Sequence, residues 1–402
     1  MPSDPRPHSA FEVMRVFLKL GLSSFGGPIA HLGYFREEFV ARRRWLDDAA
    51  YTDLVALCQF LPGPASSQVG FSIGLMRAGY PGALAAWTGF TLPSAMVLVL
   101  FAYGTPALSG PIGAGLLHGL KLVAVAIVAQ AVWGMARTLC PDRQRASIAV
   151  VATLIALFGS TSPLSQIATI LLGGIAGYWL CRIATTASSA GLSIAVSRRV
   201  GVASLLTFAL LLIVLPLHRE LGLPVGVALF DAFYRSGALV FGGGHIVLPL
   251  LRDAFVAPGW VSDDTFLAGY GAAQAIPGPL FSFAAYLGAV VTASPHGIAG
   301  AVLGLIGIFL PGMLILLGAL PFWGSLRTRT DAQAAMRGIN AAVVGLLGAA
   351  LYSPVWTSSV RTPGDFGLAL LGFILLAVWR APPLLVVFIG AVGGIALAPS
   401  PI

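Results

Sequence analysis

Apolar stretches of roughly twenty residues recur along this 402-residue chain from end to end, and that recurrence restricts its fold more than any other feature. About twenty apolar residues in a helix cross the ~30 Å hydrocarbon core of a bilayer. The stretches fall near 11–34, 51–76, 81–104, 111–136, 146–161, 163–181, 200–217, 227–251, 264–292, 297–323, 332–353, 364–380 and 382–400, thirteen in all. Charged residues are 9% of the chain, against about 25% in soluble domains whose surface faces water. The chain therefore reads as an all-α polytopic membrane protein.

The second constraint is an internal repeat. Phe17-Leu-Lys-Leu-Gly-Leu-Ser-Ser-Phe-Gly-Gly-Pro28 aligns with Phe233-Tyr-Arg-Ser-Gly-Ala-Leu-Val-Phe-Gly-Gly-Gly244 at an offset of 216, and Gln59-Phe-Leu-Pro-Gly-Pro64 with Gln274-Ala-Ile-Pro-Gly-Pro279 at 215. Leu92-Pro93 and Gly173-Gly174 recur as Leu310-Pro311 and Gly393-Gly394. Six segments, one central segment and six more start the second half on the opposite side of the membrane, which predicts two inverted-topology repeats. The expected boundaries are a polar tail at 1–10, a first repeat at 11–182, a linker with a central transmembrane helix at 183–226, and a second repeat at 227–402.

If every segment spans, with the N-terminus inside, loop cations divide thirteen inside to six outside, and Arg42-Arg43-Arg44 lies outside. If the first two segments of each half are re-entrant hairpins, the division becomes sixteen to three. Cytoplasmic loops carry the excess of Lys and Arg, so the hairpin path with a cytoplasmic N-terminus is preferred. The net charge of +8 is read mainly as this orientation signal rather than as a pull on anions. Basic stripes with interleaved aromatics are missing from the sequence, which argues against nucleic acid. Cys58, Cys140 and Cys181 show no metal or disulfide spacing. MPSDPRPHSA followed by Glu12, Arg15 and Lys19 leaves no signal-peptide core, so the N-terminus is expected to be retained.

The motifs at the breaks point to an anion. Gly26-Gly27-Pro28 and Gly242-Gly243-Gly244 interrupt apolar segments at matched positions, where glycine costs a helix about 1 kcal/mol and proline about 3. Such breaks expose peptide N–H groups and the positive ends of helices; the competing reading is close helix crossing. Pro62-Gly63-Pro64 and Pro277-Gly278-Pro279 have the same status, with Ser66, Ser67 and Ser282 as hydroxyl donors and Gln59 and Gln274 as amide donors. Lys19, its equivalent Arg235, and Lys121 are candidate charge donors, since a cation in the bilayer implies a partner, a wet cavity or snorkelling. Arg36 with Glu37 and Arg252 with Asp253 look like interface ion pairs. His31 and His245 are candidates for proton coupling, against the plainer reading of hydrogen-bonded helix contacts.

Gly70-Phe-Ser-Ile-Gly74 fits the G-x-S-x-G hydrolase pattern, which would make Ser72 an intramembrane protease nucleophile. That pattern needs a strand–turn–helix setting, and here it lies in an apolar helix as a G-x-x-x-G packing pair. No P-loop, HExxH motif or carboxylate pair is seen, so no cofactor, metal or ATP coupling is expected.

Phe25-Gly-Gly-Pro28 with His31, the Phe-Arg-Glu-Glu stretch at 35–38, Trp45-Leu46 and Pro62-Gly-Pro64 resemble the chromate ion transporter family, as do Phe241-Gly-Gly-Gly-His245, Pro249, Trp260 and Ile276-Pro-Gly-Pro279. The resemblance covers nearly the whole chain and matches the long, two-domain form. It implies secondary active efflux of chromate from the bacterial cytoplasm across the inner membrane, conferring chromate resistance. Sulfate is the close alternative substrate; lipid is the surrounding partner, and a homo-oligomer is left open.

Overall fold

The computed structural model describes residues 9–25, 27–104, 110–159, 163–182, 196–218, 222, 224–240, 247–326 and 329–397. Among them are helices and no strands: α1 Ala10–Ser23, α2 Gly27–Arg36, α3 Asp48–Phe60, α4 Ala65–Gly104, α5 Pro111–Leu139, α6 Arg143–Phe158, α7 Pro163–Leu180, α8 Arg198–Val214 and α9 Val225–Ala238. Then follow α10 Val247–Phe255, α11 Asp263–Ala275, α12 Phe283–Val290, α13 Gly297–Ala319, α14 Trp323–Leu326, α15 Thr330–Ala350, α16 Thr357–Ser359, α17 Pro363–Ala377 and α18 Pro383–Leu397. Among the described residues, five helical stretches are long and apolar enough to cross a membrane, at 65–104, 112–139, 198–217, 297–325 and 330–359. The protein is an all-α, multi-pass membrane protein.

Side-chain caps set where several helices start. Ser9, Asp47, Asp142, Ser197, Ser262 and Thr362 each accept a hydrogen bond from a backbone N–H of the first turn, satisfying donors that have no partner within the helix. Arg145 beside Asp142 holds that carboxyl below its usual range. Along α1, Val13, Val16, Phe17 and Leu20 form the buried stripe at the spacing of one helix face. Leu18 and Leu22 stay exposed on the other side, where lipid rather than water can cover them.

The order of helix lengths recurs. Half-length α1 and α2 are followed by half-length α3, and α9 and α10 by α11. The 40-residue α4 is broken at Ala78 and Gly79, where the second half separates α12 from α13. With 14 residues in α1 and 13 in α3, each of these arms is about 20 Å long, short of a full crossing. The two halves also exchange helices. α5 packs on α17 and α18, whereas α15 packs on α6 and α7. Glycine makes both crossings close: a Cβ on Gly119 would lie 2.1 Å from the Gly390 carbonyl, and one on its equivalent Gly338 would lie 2.1 Å from that of Gly173.

The ion pairs differ from the sequence expectation. Arg36 binds Asp48 at 2.7 Å, not Glu37, and Arg252 binds Asp263 at 2.8 and 2.7 Å, not Asp253. Adjacent residues on a helix point apart, so each arginine finds its carboxylate at the start of the next arm instead. The repeat is preserved in these pairs, which tie α2 to α3 and α10 to α11.

Candidate functional site

The breaks of the two halves meet across a buried seam. The Gly63 N–H donates to the Val240 carbonyl at 2.6 Å, and the Gly278 N–H donates to the Ser24 carbonyl at 3.0 Å. Each Pro-Gly-Pro turn is thus tied to the residue just before the Phe-Gly-Gly motif of the other half. Both turns need glycine, with φ of +117° at Gly63 and +107° at Gly278. Around them the Gln68 amide donates to the carbonyls of Pro62 and Gly312, each at 2.9 Å, and the Ser94 and Ser282 hydroxyls lie 2.6 Å apart. His31 Nδ1 sits 3.4 Å from the Ser66 hydroxyl, with its ring edge-on to Phe90.

Of the residues read from sequence, the seam gathers Pro62, Gly63, Pro64, Ser66, Ser67, Gly278, Pro279, Ser282 and His31. Gly27 opens α2 at a positive φ of 78°. Pro277 is half-buried in its turn, and Gln274 is half-buried with its Nε2 unpartnered. Gly26, Gly242, Gly243, Gly244 and His245 lie outside the described residues. The peptide N–H groups of Gly63 and Gly278, expected to face an anion, are taken by carbonyls across the seam in this conformation. Gln59 and Lys19 are exposed on α3 and α1, and the structure brings neither to the seam.

Lys121 belongs to a separate place. It lines a cavity of about 510 Å³ built from both halves: Gly115, His118 and Lys121 of α5, Asp264 and Thr265 of α11, Tyr286 of α12, Arg361 and Asp365 at the start of α17, and Gly394 of α18. The Lys121 ammonium donates to Asp264 at 2.5 Å, and His118 Nε2 lies 2.7 Å from Asp365. Asp365 also accepts the backbone N–H groups of Arg361 and Thr362, both at 3.0 Å. The Lys121 side chain is 9% exposed and that of Asp264 is 67%. The fixed end of the pair is therefore the ammonium, and the carboxylate is free to swing into water.

Two basic side chains, Lys121 and Arg361, share the cavity with two carboxylates, Asp264 and Asp365. An entering anion would have to displace a carboxylate from its cation, which makes the cavity an exchange site rather than a standing positive well. Tyr286 stands in the wall four residues beyond Ser282, so the cavity floor and the seam are about one helical turn, ~6 Å, apart along the chain. Phe283 fills that interval, ringed by Phe266, Tyr270 and Tyr286 with centroids at 5.2, 5.8 and 5.8 Å.

Arg235 faces a third place, a cavity of about 200 Å³ between α7, α9 and α10, where Asp231 holds it at 2.5 Å. Sequence reasoning missed His118, Asp264, Tyr286, Arg361 and Asp365. The one local signal was His118, a helical turn before Lys121 and so on its face; Arg361 and Asp365 reach the cavity only through the exchange of helices between halves. Ser72 is buried inside α4 beside Cys58, a helical setting without the strand–turn–helix that a nucleophile elbow requires.

A family model described as chromate transporter matches residues 11–178 and 227–395. A chromate transport protein of Pseudomonas aeruginosa is 28% identical over 97% of this chain and 92% of its own length. Another, of Cupriavidus metallidurans, is 24% identical over 91% and 86%, and an uncharacterized transporter of Methanocaldococcus jannaschii is 26% identical over 84% and 83%. No solved structure matches the chain.

Proposed function

The chain belongs to the chromate transporter family, and on that footing we propose that it moves chromate out of the cytoplasm as a secondary active carrier, conferring chromate resistance. The observation that carries this reading is the cavity in which Lys121 and His118 are each paired with a carboxylate and Arg361 lines the wall, one turn from the seam where the two halves interlock. A divalent oxyanion takes the place of Asp264 against the Lys121 ammonium, the exposed carboxylate turns to water, and Arg361, His118 and Thr265 supply further donors. Charge-assisted contacts of this kind are roughly twice as strong as neutral ones, which suits a dianion leaving its hydration shell. Ser67, Ser282 and the Gly63 and Gly278 peptides come into play when the seam parts.

Passage then requires the cavity to close on one side and the seam to open toward the other, as expected of inverted repeats exchanging conformations. Two observations support the re-entrant path. The arms are too short to span, and the cavity collects the first halves of α5 and α11, the start of α17 and the end of α18. Those ends share one side of the membrane only if the hairpins return to the side they entered; full crossings would set Asp264 opposite Arg361. With the N-terminus in the cytoplasm of a bacterial inner membrane, that shared side is the external one, and the cavity is open outward.

The test is uptake of chromate into everted vesicles, with sulfate as competitor. Saturable uptake that Lys121→Gln abolishes supports the proposal. Sulfate accumulating in place of chromate would move the assignment to sulfate, whose shape and charge are nearly the same.

A further inference from the structure

The cavity around Arg235 holds a charge that the anion path does not use. Its described ionisable groups are Asp231, Arg235 and Asp253. Arg235 is bound to Asp231, which is fully buried. Asp253 accepts a hydrogen bond from the Gln166 amide of α7, a neutral donor, and Arg252 beside it is turned away to Asp263.

α10 packs on α7, α9 and α15, and the other charges on those helices are engaged elsewhere. Asp331 of α15 faces Arg182 beyond α7, Arg337 of α15 donates to the Cys181 carbonyl, and the Tyr234 hydroxyl of α9 donates to the Phe208 carbonyl. One arginine thus stands against two carboxylates in a space whose wall is mostly apolar, with Ile167, Ala232, Leu250 and Trp260, and where the Ser236 hydroxyl is spent on the Ala232 carbonyl. A carboxylate held by a neutral amide in such surroundings, with the neighbouring arginine bound elsewhere, favours its neutral form, and ionisable groups of this kind in membrane proteins mark proton relays.

We propose, resting on the transport reading, that this cavity is the proton-binding site of the carrier, with the Asp253 carboxylate taking up one proton from water on the open side and releasing it to water after the conformational exchange. The link to the anion path is short. Leu239 lines the cavity, and the next residue, Val240, accepts the Gly63 N–H at the seam. Neutralising Asp253 therefore alters the charge beside the end of α9 that holds the two halves together.

The experiment uses the full chain in proteoliposomes with a pH dye inside, comparing the parent with Asp253→Asn, which keeps the shape and cannot carry a proton. Chromate-for-chromate exchange at equal pH persists in both. One pH unit across the membrane gives the parent about a tenfold accumulation ratio per coupled proton, with a matching internal pH change, and Asp253→Asn shows neither. An Asn variant that accumulates like the parent overturns the proposal. So does a folded Asn variant that loses exchange as well, because that marks an anion-path or structural role. Accumulation driven by a sodium gradient at equal pH, abolished in Asp253→Asn, overturns it in favour of a metal cation. If Asp253→Asn fails to fold, Gln166→Leu replaces it: removing the neutral donor raises the pH of half-maximal accumulation, and an unmoved midpoint refutes the assignment. A parent that exchanges neither chromate nor sulfate defeats the transport reading itself and the proton site with it.

Discussion

Replacing Gly63 with alanine tests whether the seam joins the two halves as described. Its φ of +117° lies where L-residues are strained, at a cost of about 1–3 kcal/mol. The added Cβ would stand 2.9 Å from the Gly312 Cα and 3.0 Å from the Gln68 amide. Backbone cannot yield as a side chain can, so overpacking adds about 1–3 kcal/mol. Together these put Gly63→Ala at roughly 2–6 kcal/mol of destabilisation. Gly278→Ala meets the Ser94 hydroxyl at 2.8 Å; that side chain can rotate away, at the loss of its bond to Ser282, about 1 kcal/mol, so the change falls in the same range or slightly below it. Gly33 is the control, since a Cβ there meets nothing within 4 Å and alanine inside a helix gains up to about 1 kcal/mol. Equilibrium unfolding of the purified variants in mixed micelles reads the difference. A Gly63→Ala protein as stable as Gly33→Ala would refute the seam.

Four further outcomes follow from the site. Lys121→Gln lowers kcat/KM for chromate by at least about tenfold, the loss of one charge-assisted contact, whereas Asp264→Asn raises kcat/KM, through a lower KM, by removing the competing carboxylate; initial-rate fluxes separate the two, and kcat/KM changes of the same sign would contradict the exchange. Asp365→Asn weakens three hydrogen bonds around the start of α17 and destabilises the protein by about 1–3 kcal/mol in the same unfolding assay. Arg36→Ala changes stability by less than about 1 kcal/mol, because both partners are about 60% exposed, whereas Arg252→Ala breaks a bidentate, less exposed pair and is the costlier of the two. Cysteines at Asp264 and Arg361 react with an impermeant maleimide from the external face, and one at Arg42 reacts only in everted vesicles; labelling of 264 and 361 from opposite faces would sink the re-entrant path.

Helix class and the placement of apolar segments were legible because lipid imposes them residue by residue, and each of the thirteen stretches contains helix. The breaks were legible for the same reason, since Gly63 and Gly278 have no helical role to play. Their mutual contact was not, because no local pattern says that Gly63 will bond Val240 and Gly278 will bond Ser24. The charges were least legible. Lys19 and Arg235 are equivalent in the repeat, yet Asp231, which holds Arg235, is matched by Arg15 in the first half, so one cation is drawn into a cavity and the other stays exposed. Lys121 was identified, but its partners were not. Asp264 comes from another arm, and Arg361 and Asp365 come from the helix that the second half lends across the interface.

The central claim, that a dianion is carried through the cavity of Lys121, is tested most directly by radiolabelled chromate uptake into everted vesicles containing the parent or Lys121→Gln at equal expression. The account requires saturable uptake in the parent, competed by sulfate and lost in the variant. Equal uptake in the two, or none above empty vesicles in the parent, would contradict it.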